Sequence, residues 1–189
     1  MKPWQVISRR RIVQKDPWLR LYEEEVELPN GRRIPDYLTT EEPDVAMMFA
    51  VTTDDHVLLV EQYKHGIRGV ALDLPAGYVD PGEDPFDAAR RELEEETGHR
   101  GADWTPLGAY YYSENRHQSR FHYYLLRGAQ PTGRVHLDET EELIVHRMPL
   151  AEIPDLIASG RVCGIHSALG LYRGLDALGP GPSSNPGKR

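Results

Sequence analysis

Apolar and polar residues alternate along the first forty positions of the chain. Residues 4–13, 18–28 and 32–40 interleave Val, Ile, Leu, Trp and Tyr with charged side chains, the two-residue period of strands with one covered and one open face. Lys15-Asp16-Pro17 and Pro29-Asn30-Gly31 punctuate them as turns, and Asn-Gly is a strong hairpin signal. A sheet of three such strands leaves its edges open. It needs a second surface, either the rest of the chain or another copy.

Past the breaker Glu41-Glu42-Pro43-Asp44 the pattern changes. Residues 45–52 and 57–63 read as two buried strands joined at Asp54-Asp55, and a shorter run, 71–74, leads into Pro75-Ala76-Gly77. The clearest helix spans 85–97. Asp84 is its N-cap, Pro85 takes the first helical position, Asp87 lies in the first turn and Gly98 supplies the stop. Strands are predicted at 106–112, 120–127 and 142–148, with a polar loop at 113–119. Helices are predicted at 151–159 and 162–178, the second weakened by Gly164, Gly170 and Gly174. The segment 179–189, GPGPSSNPGKR, has the composition of a disordered tail. The class is α+β (mixed α/β), divided into a β appendage over 1–42, a main domain over 43–178 and the tail.

Composition narrows the functional classes. With 30 acidic and 22 basic residues among 189, the net charge is −8, so a nucleic-acid backbone is a poor partner. The single cysteine, Cys163, excludes an internal disulfide framework and a Cys-rich zinc site; within an apolar segment it reads as a small buried residue. No apolar run reaches the ~18–20 residues of a spanning helix, and the first ten residues carry no apolar signal segment. The expectation is a soluble, cytoplasmic protein without membrane partners.

The helix at 85–97 carries the chemistry. On a 3.6-residue wheel Phe86, Ala89 and Leu93 share the buried face, and Glu92, Glu95 and Glu96 lie in one arc beside it. Like charges so spaced repel by roughly 0.2–0.5 kcal/mol per pair in an isolated helix. A hard divalent cation reverses that sign, because Mg²⁺ prefers carboxylate oxygens and bridges to phosphates. The residues alone leave two readings open: a carboxylate-lined metal site, or a solvated acidic helix with Arg90 and Arg91 as local partners.

The wider spacing favours the first. Gly77, five residues, Glu83, seven residues and then Arg91-Glu92-Leu93-x-Glu95-Glu96-x-Gly98 resembles the Nudix box of the Nudix hydrolases. At average residue usage a chance match at one register is on the order of 10⁻⁸. His99 departs from the aliphatic residue usual at the last position, a structural difference. The resemblance implies a Nudix α/β/α sandwich that hydrolyses a nucleoside diphosphate linked to another moiety, with Mg²⁺ or Mn²⁺. It implies Glu92 and Glu96 as principal metal ligands, Glu95 as a second-metal or water-bridging ligand, and the Ala76 carbonyl and Glu83 as further ligands, Glu83 alternatively tying down its loop. Arg91 would orient the glutamates.

The likeness extends beyond the box. VEQYKHG (60–66) and LDLPAG (72–77) resemble the run into the box in ADP-ribose pyrophosphatases and related nucleoside-diphosphate-sugar hydrolases. That resemblance implies a homodimer in which the appendage helps build the substrate pocket, with Trp4, Trp18, Tyr22 and Tyr37 as candidates for stacking a base. Among them Trp18 is the expected substrate contact. Lys64 stands where relatives have arginine and would meet a phosphate as a point charge; Arg116 and Arg120 are further anion contacts. The loop Ser113-Glu114-Asn115-Arg116-His117 replaces a Ser-Pro-Gly pattern, so the terminal-sugar end of the pocket is expected to differ. The general base is expected in the acidic loop 138–142, with Glu142 the best match and Glu139 and Glu141 as alternatives. The reaction implied is hydrolysis of ADP-ribose or a similar nucleotide sugar to a nucleoside monophosphate and a sugar phosphate. GDP-mannose, a dinucleoside polyphosphate, and a non-hydrolysing ADP-ribose or NAD-type sensor stand as alternatives.

Overall fold

The computed structural model of the chain describes residues 1–133, 135–137 and 142–179. The expected tail beyond 179 and the base candidates Glu139 and Glu141 lie outside the described residues.

Strands β1 (Gln5–Lys15), β2 (Leu19–Glu27) and β3 (Arg33–Glu41) form an antiparallel sheet in that order. The Asn-Gly turn closes β2 onto β3, with Gly31 at φ 81° and the Leu28 carbonyl accepting from its N–H. Charge pairs cross the strands: Arg10 meets Glu23 at 2.8 Å, and Arg33 reaches Glu27 at 3.0 Å and Glu25 at 3.1 Å. Glu24 is only 8% exposed and would be costly there without a cation. Arg9 supplies it, at 3.0 Å from Glu24 and 2.7 Å from Glu41, lying over the Tyr22 ring.

The end of this sheet is fastened to the loop 113–119. Thr40 donates its N–H to the Arg116 carbonyl and accepts from Gln118, and its hydroxyl lies 2.6 Å from His117 Nδ1. Ser119 Oγ serves both main-chain groups of Glu42, and Tyr37 donates to the Asn115 carbonyl. The appendage is therefore held to its own chain at the end of β3, while β1 stays exposed along nearly its whole length.

The larger sheet contains β4 (Val45–Thr52), β5 (His56–Lys64), β6 (Gly69–Asp73), β7 (Ala76–Tyr78), β8 (His99–Arg100), β9 (Asp103–Tyr111), β10 (Arg120–Pro131) and β11 (Leu143–Pro149). Its path is β11-β5-β4-β10-β8, with β6 on β5, β7 on β4 and β9 on β10. β4 and β10 run parallel, Val45 beside Phe121. Helices α1 (Pro85–Thr97), α2 (Ile153–Ala158) and α3 (Ile165–Leu178) complete the fold. β7 and β8 are absent from the pattern-based expectation because two or three residues carry no period.

Alternation along β4 makes two cores. Ala46, Met48 and Ala50 join Leu58, Ala88, Ala89 and Leu93 beneath α1. Met47, Phe49 and Val51 join Leu59, Leu125, Ile153 and Leu171 beneath α2 and α3. This is the expected α/β/α sandwich, with strands buried on both faces reading as continuous apolar runs. No described helix is long and apolar enough to cross a membrane.

Two expectations are corrected at the C-terminal helix. It begins at Ile165 with Gly164 as its extended N-cap, so Cys163 precedes the helix and is exposed. Nor are its glycines a weakness. A methyl on Gly174 would fall inside the Phe49 ring, and one on Gly170 would sit 2.5 Å from Leu74 Cδ1 and 3.2 Å from the Tyr123 ring. The missing side chains let α3 lie directly on the sheet. Helix propensity alone predicts that Gly174→Ala stabilises the protein by about 1 kcal/mol. Overpacking of a filled core costs roughly 1–3 kcal/mol, so the expected result is a lower denaturation midpoint at unchanged m-value; a higher midpoint would refute the close-approach account.

Candidate active site

β4 and β5 pair only at Val51 and Val57. Beyond that point they separate: β5 takes β6 as its partner and β4 takes β7. Met48 N–H donates to the Pro75 carbonyl at 3.0 Å, which brings the start of β7 into the split. The second half of α1 lies over the same place, since Ala76 N–H donates to Glu96 Oε2 at 2.9 Å.

The predicted caps hold α1 there. Asp84 accepts from Phe86 N–H at 2.8 Å, and Gly98, at φ 66°, donates to the Glu94 carbonyl. Phe86 packs edge-on against Trp104 and beside Tyr124. Glu96 is 6% exposed, a carboxylate in the wall of the core satisfied by a main-chain donor. Glu92 lies against Gly77, where any Cβ would overlap its carboxylate.

Arg91 is the hub. Its Nε and Nη2 grip Glu83 at 3.0 and 2.9 Å in a bidentate pair, and its Nη1 reaches Glu92 at 2.7 Å and Glu95 at 3.0 Å. Nη2 also donates to the Tyr78 carbonyl at 3.1 Å. Glu83 accepts from Asp80 N–H as well, closing the loop before the helix. The bonds to Glu83 first, and then those to Glu92, hold the guanidinium above its ordinary pKa in spite of partial burial. The bond from Arg91 holds the Glu83 carboxyl below its ordinary range.

Of the remaining predicted residues, Trp18 reaches this centre through Tyr78, and the others make contacts of their own. Trp18, at the turn of the appendage, packs against Tyr78 with ring centroids 5.2 Å apart; burial and then Glu42 push the Tyr78 phenol upward. Arg120 donates to Tyr111 OH at 2.7 Å, and its N–H to Asp44 Oδ1 at 2.8 Å, while the Asp44 carbonyl accepts from Val79 beside the box. Arg116 is exposed in the loop fastened to the appendage. Lys64 ends β5 and donates to Gln62 Oε1 at 2.6 Å. Gln62 stands opposite Leu143 on β11, so Glu142, exposed just before that strand, enters the sheet next to the Gln62–Lys64 pair.

Motif reasoning did not single out Tyr78, Asp44, Gln62 or an aromatic cluster beyond them. In that cluster His166 stacks on Phe121 at 3.7 Å, with Tyr112 edge-on to His166 and over His117. Burial lowers the His166 pKa. Tyr78, Asp44 and the aromatic cluster meet their partners through strand register and loop closure, which spacing along the chain does not encode.

The donor set is one of hard carboxylate oxygens, the chemistry suited to Mg²⁺ or Mn²⁺. Among the described residues no three acidic or imidazole side chains already converge as ligands of one ion, because Arg91 and the Ala76 N–H take up the carboxylates. The groups fit such an ion by type and by their gathering on one arc of α1.

Comparison with known proteins agrees with this geometry. The NUDIX domain family matches residues 42–163, and the nucleoside diphosphate sugar hydrolase N-terminal domain matches residues 4–37. The chain belongs to the Nudix family and is a Nudix pyrophosphohydrolase. It is 30% identical over 152 residues to an ADP-ribose pyrophosphatase of Bacillus subtilis, covering 80% of this chain and 82% of that protein. It is 34% identical over 175 residues to a CMP-5'-(N-acetyl-N-hydroxy-3-aminopropyl)phosphonate hydrolase of Streptomyces rubellomurinus, covering 90% and 81%. A crystal structure of an ADP compounds hydrolase superposes with a TM-score of 0.82 at 23% identity, covering 94% of this chain and 95% of that one.

The contact of Gly77 with Glu92 yields a test. Gly77→Ala forces the carboxylate away while leaving both cores untouched. Turnover is expected to fall about a hundredfold with the melting temperature nearly unchanged. Retained turnover would show that the placement of Glu92 against the glycine is unimportant.

Proposed function

We propose that the chain hydrolyses the pyrophosphate bond of ADP-ribose or a similar nucleoside-diphosphate sugar, releasing a nucleoside monophosphate and a sugar phosphate. The observation that carries this reading is the gathering of Glu83, Glu92 and Glu95 on Arg91, with buried Glu96 on the Ala76 N–H. Such a concentration of carboxylates suits a multiply charged anion only if cations come between. Glu92 and Glu96, with Glu95, Glu83 and the Ala76 carbonyl, would hold Mg²⁺ or Mn²⁺. When bound, the metal supplies charge neutralisation at the phosphates and a more acidic water.

The chain's own residues do the rest. Arg91 orients the glutamates. Glu142 takes the proton of the attacking water, a role that requires approach to about 3 Å. Lys64, Arg116 and Arg120 meet the phosphates, and Trp18 offers a face for the base. Charge complementarity and positioning of this kind account for most of the catalysis in phosphoryl transfer. The appendage leaves Trp4, Val6, Ile7, Ile12 and Trp18 exposed, which supports a homodimer in which a second copy covers that face. The protein acts in the cytoplasm.

The Streptomyces relative, similar along most of the chain, favours a second substrate: a cytidine nucleotide joined to a phosphonate. The same centre would cleave it, and only the base and distal contacts would differ.

Product analysis after incubation with ADP-ribose, GDP-mannose, UDP-glucose and a CMP-linked phosphonate, with and without Mg²⁺, separates these readings. Metal-dependent AMP from ADP-ribose is the expected result; no turnover of any of the four would refute hydrolysis of nucleotide sugars. In the active assay Glu96→Gln is expected to reduce turnover by about a hundredfold or more. It should fold normally, because the amide oxygen still accepts from Ala76 N–H. Near-normal turnover of that variant would overturn the metal assignment.

A further inference from the structure

The cations of the described residues differ in what they hold. Arg91 is committed to three carboxylates, Arg9 to two and Arg147 to Asp54. Lys64 is held by a neutral group, the Gln62 amide oxygen at 2.6 Å, and among the described residues it makes no ion pair. Alternation along β5 places Gln62 and Lys64 on the face of Leu58, the face that α1 covers. Leu143 lies opposite Gln62, so the chain enters β11 from Glu142 alongside the pair.

We propose that Gln62 is a positioning residue for the substrate's pyrophosphate, acting through Lys64. A lysine ends in a flexible point charge with rotamer freedom to lose. A carboxylate partner would fix it but cancel its field. An amide oxygen fixes it and leaves the full positive charge for an anion. Gln62 is half-buried, and its backbone is paired on both sides, with β6 and with β11. The device compensates for having lysine where a guanidinium would supply its own planar geometry. This inference rests on reading Lys64 as a phosphate contact.

The test is a double-mutant cycle between the two positions, with ADP-ribose turnover in Mg²⁺ and calorimetric titration of ADP as a readout without turnover. Gln62→Met keeps the volume and removes the acceptor. Its KM is expected to rise about three- to tenfold, the value of one such hydrogen bond, with kcat and melting temperature unchanged and ADP affinity reduced in parallel. Lys64→Ala should raise KM further, and the double variant should match Lys64→Ala. Gln62→Glu, which keeps an acceptor but adds a charge, should raise KM more than Gln62→Met. Effects that multiply in the double variant, or a wild-type KM for Gln62→Glu, would overturn the role of Gln62 while leaving Lys64 in place. An unchanged KM and ADP affinity for Lys64→Ala would instead remove the phosphate contact itself.

Discussion

The active centre depends on one guanidinium. Glu83, Glu92 and Glu95 all bear on Arg91, and without it their mutual repulsion would work against the second half of α1. Its position on the helix explains how one side chain does this. Glu92 is its chain neighbour, Glu95 lies one turn on, and Glu83 is brought back by the loop that closes through Asp80. Arg91 also binds the Tyr78 carbonyl, tying helix, loop and strand together. A lysine would not meet five acceptor contacts, because only the guanidinium presents donors in a planar fork. The carboxylates are therefore gathered before any cation arrives, and the cost of gathering them is met by folding.

That hub sits where the sheet separates. Because β4 and β5 share one registered pair and then take different partners, main-chain groups that a continuous ladder would use are available to side chains. The Ala76 N–H turned onto Glu96 is the consequence that matters. Close backbone approach makes the rest possible. Gly77 admits the Glu92 carboxylate on one face of the sheet, and Gly170 and Gly174 admit α3 on the other. Both are places where a side chain would separate layers that must touch.

Much of this was legible in the residues, and the reasons for the rest are physical. The bounds of α1 and β4 follow from caps and a continuous apolar run, signals local to each element, and structure and expectation coincide there. The Nudix box exposed its glutamates through spacing, since a helix converts i, i+3 and i+4 into one arc. Propensity misled at α3: glycine weakens an isolated helix, but here tertiary packing outweighs that cost. Cys163 was misplaced for a related reason, because an apolar run was extended past the Gly164 cap. β7, β8 and the place of the Tyr78 carbonyl depend on which strand lies beside which. Register is a property of the folded sheet and leaves no periodic trace in so few residues.

The loop 113–119 is held by the same kinds of contact. It is the piece to which the appendage is fastened, through Thr40, Glu42 and Tyr37. His117 joins that fastening to the aromatic cluster, its ring lying over Tyr112, which meets His166 edge-on. A change in the loop therefore moves two things together: the residues it presents, including Arg116, and the seat of the sheet that carries Trp18. The Arg91 hub is set within α1, β7 and the loop between them, and it meets the appendage where Trp18 packs on Tyr78. The chain thus has two organised parts, the Arg91 hub and the fastened appendage, and Tyr78 is where they touch.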